Sequence, residues 1–368
     1  MTNSWRTGKL GELVTFKTGK LDSNAAVPDG DYPFFTCSQE TLRTNTYSYN
    51  TECVLLAGDN ANGIFALKYF KGKFDAYQRT YVIRPRDASV LTTKFLYYAL
   101  RPKLSEFRSF STGAATKFLT LTILNETEIQ APPLPVQQRI AGILSAYDEL
   151  IENSQRRIKI LETMARTLYR EWFVNFRFPG HEDHPRVALP LGEIPQGWEV
   201  KRFGDVAELN YGKALKKEDR RDGSYPVFGS SGIVGSHDSA LVKGPGIVVG
   251  RKGNVGSVFW CDDDFFVIDT AYFVTSTLPL RFLLYVLPTL NFINSDAAVP
   301  GLSRNQAYTL EILVPPASLL REFCELAGSF ERQAATIKRQ VQNLRRIRDL
   351  LLPRLLSGQV DVEELAHV

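Results

Sequence analysis

Two stretches of the chain carry apolar residues on a strict alternation of four and three. The first holds Ile140, Leu144, Tyr147, Ile151, Ser154, Ile158, Leu161, Ala165, Leu168 and Trp172. The second, shifted by 183 residues, holds Phe323, Ala327, Phe330, Ala334, Ile337, Val341, Leu344, Arg348, Leu351 and Leu355. Only Ser154 and Arg348 break the pattern. A 3.5-residue period is a coiled-coil seam and predicts a left-handed supercoil. Each stretch opens just after a Pro-Pro pair, Pro132-Pro133 and Pro315-Pro316. A helix of about 36 residues is roughly 55 Å long. Such a stripe must be buried, and the nearest partner is the other copy. Two equal halves pair most simply about a pseudo-two-fold axis. That makes the helices antiparallel and sends whatever precedes them to opposite ends.

What precedes them is also repeated. Trp5, Gly11, Gly19 and Lys20 recur as Trp198, Gly204, Gly212 and Lys213, each displaced by 193. The same displacement carries Tyr32-Pro33 onto Tyr225-Pro226, whereas Leu119 recurs as Leu302 at a displacement of 183. Chance matches do not hold one offset across thirty residues, so the chain is read as a tandem duplication. Each copy begins with short β-branched runs bounded by turn residues, such as Thr80-Tyr81-Val82-Ile83 and Gly246-Ile247-Val248-Val249. These are strand signals, and Thr93 to Leu100 and Leu280 to Leu287 read as helices. The expectation is a mixed α/β (α+β) domain in two copies, separated by two long antiparallel coiled-coil helices. The boundaries fall at 1–134 for the first domain, 135–177 for the first helix and 178–197 for a linker. The second domain takes 198–317, the second helix 318–357, and a tail 358–368.

Composition changes this picture little. The chain of 368 residues is 44% hydrophobic and 23% charged, as ordinary globular proteins are. Net charge is +4, too small to mark a nucleic-acid binder by itself. No stretch reaches the 18 apolar residues of a membrane span, and the polar start, Met1 to Leu10, lacks the apolar core of a secretory signal. Cys37, Cys53, Cys261 and Cys324 are scattered and read as reduced thiols, which points to the cytoplasm.

The helix ends are the most distinctive wording. Pro133-Leu134-Pro135-Val136-Gln137-Gln138-Arg139-Ile140-Ala141 opens the first helix; Leu168-Tyr169-Arg170-Glu171-Trp172-Phe173 and Phe176-Arg177-Phe178-Pro179-Gly180 close it. Arg348-Asp349-Leu350-Leu351-Leu352-Pro353-Arg354-Leu355-Leu356-Ser357-Gly358 closes the second. These phrases, and the order domain, Pro-Pro, helix, twice over, resemble the specificity subunit of type I restriction-modification systems. The resemblance implies two target recognition domains, each reading one half of an asymmetric bipartite site in double-stranded DNA. It implies partners too: methyltransferase subunits, two of them, which bring S-adenosylmethionine, and ATP-dependent restriction subunits. The chain itself would need no cofactor. One departure is Leu319-Leu320-Arg321-Glu322 in place of Val136-Gln137-Gln138-Arg139, which puts equal partner contacts at the two helices in question. The competing expectation is an interaction scaffold whose coiled coil organises proteins without DNA.

No catalytic apparatus is legible. Gly250-Arg251-Lys252-Gly253-Asn254-Val255-Gly256-Ser257 has glycines but no Lys before the Ser, as a phosphate-binding loop needs. Glu199-Val200-Lys201 has a nuclease-like spacing, yet its counterpart Arg6-Thr7-Gly8 has no carboxylate. His181 and His184 lack cysteine partners for a metal, and His237 and His367 are isolated. A non-catalytic, metal-free subunit is expected.

DNA-binding candidates are loops where a glycine or small residue adjoins a basic, hydroxyl or amide side chain. Thr18 and Lys20 flank Gly19 as Tyr211 and Lys213 flank Gly212, which suits phosphate positioning. Beyond the Tyr-Pro motif the copies diverge: Ser38 and Gln39 against Ser230 and Ser231. Arg251, Lys252 and Asn254 are matched to Asp59, Asn60 and Asn62. Arginine suits guanine, and Asn or Gln suits adenine. Lys117 and Arg304, near the junction with each helix, complete the set. Arg345, Arg346 and Arg348 read instead as a solvated helix face or a partner surface.

Overall fold

The computed structural model describes residues 5–113, 116–189, 192–292, 294–295, 301–360 and 362. The chain divides into two units, residues 1–154 with 339–368, and residues 155–338. Each holds one globular domain and half of each long helix, Leu134–Tyr169 and Ala317–Leu356.

In the first unit a six-stranded sheet runs in the order Val14–Thr18, Thr80–Pro85, Tyr49–Ala57, Leu67–Ala76, Tyr32–Phe35, Leu42–Thr44. All neighbours are antiparallel except Tyr32–Phe35, which lies parallel to Leu67–Ala76. A separate ribbon pairs Arg6–Lys9 with Glu128–Ala131. The helix Thr93–Leu100, capped by the Thr92 hydroxyl accepting from the Phe95 N–H, buries Phe95, Leu96 and Leu100 in the core. Ile140, Leu144, Leu352 and Leu355 enter the same core. With Asp148 bonded to Arg348 and Ile140 sharing a core with Leu352 and Leu355, residues 134–154 run antiparallel to residues 339–356.

The second unit repeats the plan. Ala207–Tyr211, Ala271–Ser276, Gly246–Gly250 and Val258–Cys261 form one sheet, and Glu199–Arg202 pairs with Glu311–Val314 in the register of the first ribbon. The difference lies where the long strand Leu67–Ala76 stood. Its counterpart is split into Val258–Cys261 and Phe266–Val267 by Asp262-Asp263-Asp264, a residue type that strands disfavour. The Asp262 carboxylate accepts from the Trp260 indole and Asp264 from the Gly244 N–H, so the break is pinned. Gly244 fits because a Cβ there would lie 2.3 Å from the Asp263 carbonyl oxygen. The long helices again run antiparallel: Lys338 Nζ is 2.8 Å from Glu162 Oε1, and Tyr169 and Trp172 pack against Phe323.

All twenty positions of the four-three stripe are buried or half-buried. The closing motif of the first helix has a packing cause: Phe173 meets Phe323 with ring centroids 4.8 Å apart, while Phe176 and Phe178 pack on Trp198. Within 178–197 the structure has an antiparallel pair, Arg186–Leu189 with Gly192–Pro195. Among the described residues, no helix is long and apolar enough to cross a membrane.

Two polar residues depart from the expectations. Arg348 does not lie on a solvated face. Its side chain is 13% exposed and bonds Asp148 at 2.6 Å, because an arginine on the seam must carry its charge to a carboxylate rather than to water. Gln137, expected to bear on partner contact, is fully buried. It accepts from the Thr92 N–H and donates to the carbonyls of Val90 and Pro132, which ties the start of the long helix to the domain. Leu320, at the equivalent place, is itself buried, so the missing glutamine is an exchange of one interior tie for another.

Candidate nucleic-acid interface

In each unit one turn residue gathers the candidate loops. In the first it is Arg79, whose carbonyl accepts from the Gly58 N–H at 2.8 Å and the Cys37 thiol at 3.5 Å. Beside it, the Gly19 N–H donates to Thr80 O. In the second unit it is Thr270. Its carbonyl accepts from the N–H groups of Arg251 and Lys252 at 2.9 and 3.0 Å, its hydroxyl accepts from Ser230 N, and Gly212 N donates to Ala271 O.

These bonds define the equivalences. Leu119 N donates to Gly58 O as Leu302 N donates to Arg251 O. The Tyr81 hydroxyl donates to Leu119 O as the Tyr272 hydroxyl donates to Leu302 O. Arg251 therefore matches Gly58, and Lys252 matches Asp59. The alignment made from sequence, which set Arg251 against Asp59, is displaced by one residue. The repeated glycines have an internal cause: a Cβ on Gly19 would lie 1.9 Å from Ala76 O, and one on Gly212 2.2 Å from Ile268 O. They serve close backbone packing inside each unit.

In the second unit the framework carries a stack of cations on aromatic rings. The Arg251 and Arg304 guanidinium carbons each lie 4.8 Å from the Tyr211 ring centroid. Arg251 Nη1 donates to Asp269 O and Arg304 Nη1 to Leu209 O. Tyr211 is 49% exposed, so the stack faces solvent. Burial raises the pKa of the Tyr272 phenol, with the Tyr211 hydroxyl and charge adding to the shift, and keeps it neutral. Ser230 accepts through its carbonyl from the Ser257 hydroxyl, which also bonds Asn254 O. Lys213, Ser231, Lys252 and Asn254 are exposed around this edge.

In the first unit Asn60 and Lys117 pair across two short strands. The Asn60 side-chain oxygen accepts from the N–H groups of Asn62 and Ile64, so it holds its own turn. The Ser38 hydroxyl likewise accepts from Glu40 N, and Thr18 O accepts from the Tyr49 hydroxyl. Lys20, Gln39 and Asn62 are exposed. Burial, then a hydrogen bond to Asp59, pushes the Cys37 thiol up to about 11, which makes it unreactive at neutral pH. The residue that sequence reasoning missed is Arg79. It bonds Asp59 at 2.7 Å and lies 5.8 Å from the Phe118 ring, and Phe118 is 40% exposed. No repeat, glycine or motif marks it; only the convergence of three loops does.

Of the other residues singled out, Glu199 pairs with Lys201 on an exposed strand. His181 and His184 bond the carbonyls of Phe178 and Gln196. His237 is buried and accepts from Arg221 N. His367 lies outside the described residues. Arg345 and Arg346 are exposed. On the long helices, Ile160, Met164, Trp172 and Phe330 line an open apolar groove of about 640 Å³ in the second unit.

Two copies of one α+β domain, alike in framework and unlike along one cationic and aromatic edge, are the design of a tandem recognition protein. The chain belongs to the family described as type I restriction modification DNA specificity domain, which it matches over residues 3–163 and 195–318. The resemblance drawn from the helix-end motifs is thus borne out. One relative is the type I restriction enzyme EcoDI specificity subunit of Escherichia coli, 32% identical over 224 residues. That match covers 56% of this chain and 49% of the relative, so the chain spans about half of that protein's length. The MjaIX specificity subunit of Methanocaldococcus jannaschii is 29% identical over 77% of this chain and 72% of its own. In fold, the chain is similar to the type I restriction-modification S subunit from M. genitalium, with a TM-score of 0.69 and 19% identity, over 96% of this chain and 97% of that one.

Proposed function

We propose that the chain is the non-catalytic, sequence-reading subunit of a type I restriction-modification complex, in which each domain reads one half of a bipartite duplex site. The observation that carries this reading is the paired edge. Hydrogen bonds to Leu119 and Leu302, to Arg79 and Thr270, and at Gly19 and Gly212 are kept, while the side chains around them are exchanged. Two domains that bind one shape of ligand but different letters need that combination: common backbone geometry for phosphates, different side chains for base edges. The domains take 1–134 and 198–317, and the two long helices set the gap between half-sites. Inserting one heptad into both helices changes that gap and leaves each half-site as it was.

The helices also carry the partner surface. Ile160 and Met164 are 58% and 43% exposed, and Met164 recurs at the 183 displacement as Ile347, also exposed. Apolar side chains at equivalent places suit two methyltransferase subunits. ATP-dependent restriction subunits complete the assembly, and its compartment is the cytoplasm. A gel shift with duplex DNA under salt titration tests the reading. Phosphate contacts make log K fall linearly with log salt, at about 0.9 per phosphate. Binding that ignores salt, or no binding to duplex DNA, points to the scaffold instead.

A further inference from the structure

The two edges hold different guanidinium groups, and they are exchanged as sets. Tyr211, Arg251 and Arg304 of the second unit correspond, by the displacements of 193 and 183, to Thr18, Gly58 and Leu121 of the first. None of these three can stack or donate in the same way. Conversely Asp59, Arg79 and Phe118 correspond to Lys252, Thr270 and Gly301. Each unit therefore builds one arginine-on-aromatic module at the same edge, from positions at which the other unit carries neither an arginine nor an aromatic ring. The reason is steric. A Cβ on Gly58 would lie 2.5 Å from Arg79 O, so the first unit cannot place an arginine where the second has Arg251.

Both guanidinium groups are oriented before any ligand arrives. Arg251 is held by Asp269 O over Tyr211, and Arg79 by the Asp59 carboxylate beside Phe118. A planar fork fixed on one side by an acceptor presents its remaining donors in a single plane, which suits bidentate recognition. Among the described residues the exposed Lys20, Lys213 and Lys252 show no such support, and they suit the undirected charge of phosphates. In the major groove the acceptor pair that fits an arginine fork is guanine O6 and N7. Resting on the reading of this chain as a duplex-DNA reader, we infer that Arg251 and Arg79 are the specificity-determining residues of the two half-sites, each contacting a guanine.

The test is selection of binding sites from a random duplex library by the full-length chain, with recovered sequences read out. The unaltered chain enriches two unlike half-sites, each containing guanine. Arg251→Ala loses preference for one guanine in one half-site, on the order of 10- to 100-fold, and leaves the other half-site intact. Arg79→Ala does the converse. Arg251→Lys and Arg79→Lys keep the charge and the fold; they show the same loss of base preference with an unchanged salt slope. Unchanged half-sites with a salt slope lowered by about one in the Ala variants make both arginines phosphate contacts and overturn the inference. So does equal loss at both half-sites in the Lys variants. If the unaltered chain enriches nothing, the reading as a DNA subunit itself fails, which the other outcomes leave standing.

Discussion

The two units solve the same packing problem with different material. In the second, Phe323 sits among Tyr169, Trp172, Phe173 and Tyr285. In the first its counterpart is the aliphatic Ile140, buried in a core that holds Leu144, Leu352 and Leu355 together with Phe95 and Phe107. Both units fasten a short helix to its long helix through a tyrosine and a carboxylate. Tyr98 donates to Asp148 at 2.8 Å and Tyr285 to Glu331 at 2.6 Å. The cations that complete them differ: Arg348 and Arg101 in one, Arg281 in the other. Duplicated domains thus retain hydrogen-bond geometry more strictly than side-chain identity. An exchanged side chain is tolerated when the group it served finds another partner.

The largest expected effect comes from emptying the two helix cores. Phe323→Ala should cost about 4 kcal/mol and Ile140→Ala about 3 kcal/mol, each loosening its own unit, as amide exchange followed by mass spectrometry will show. Uniform loss of protection in both units after either change would mean that they do not keep separate cores. Next is Gln137→Leu, which copies the second unit's Leu320 into the first. Without the rest of that environment it strands the Thr92 N–H and the carbonyls of Val90 and Pro132, at about 2 kcal/mol; an unchanged denaturation midpoint would show that the exchange needs no compensation.

Tyr98→Phe and Tyr285→Phe should each cost about 1.5 kcal/mol, since each removes a donor from a carboxylate. A clear inequality would show that the cations, not the tyrosines, carry the fastening. The smallest effect is pH-dependent and confined to the first unit. Burial, only partly opposed by Glu40, lowers Lys68 from 10.5 to about 8. The folded chain gives up this proton before the unfolded chain does, so this residue makes stability rise between pH 8 and 10.5. Lys68→Met should flatten that component in a comparison of melting temperatures across the interval. Parallel curves for both chains would remove Lys68 from the account.

Much of the architecture was legible because burial imposes a period. The four-three stripe and the constant displacements of 193 and 183 announce the helices and the duplication without knowledge of any contact. Gln137 and Arg348 were misread for one reason: polarity is visible in a sequence, whereas a buried acceptor supplied from 47 or 200 residues away is not. The edge was half legible. Different sequence features mark Tyr211, Arg251 and Arg304, and the structure brings them to one ring. Arg79 sits in a turn with no repeat to flag it. The matching of Arg251 to Gly58 follows from the displacement of 193 itself, whereas setting Arg251 against Asp59 departs from it by one residue; the bonds of Leu119 and Leu302 fix the register.

On the proposed function, one framework used twice reads two different half-sites. Selection from a random duplex library by the unaltered chain, with both domains present, tests it most directly. Two unlike short sequences at one fixed separation are the expected yield. Two identical half-sites, or a single uninterrupted site, would contradict it.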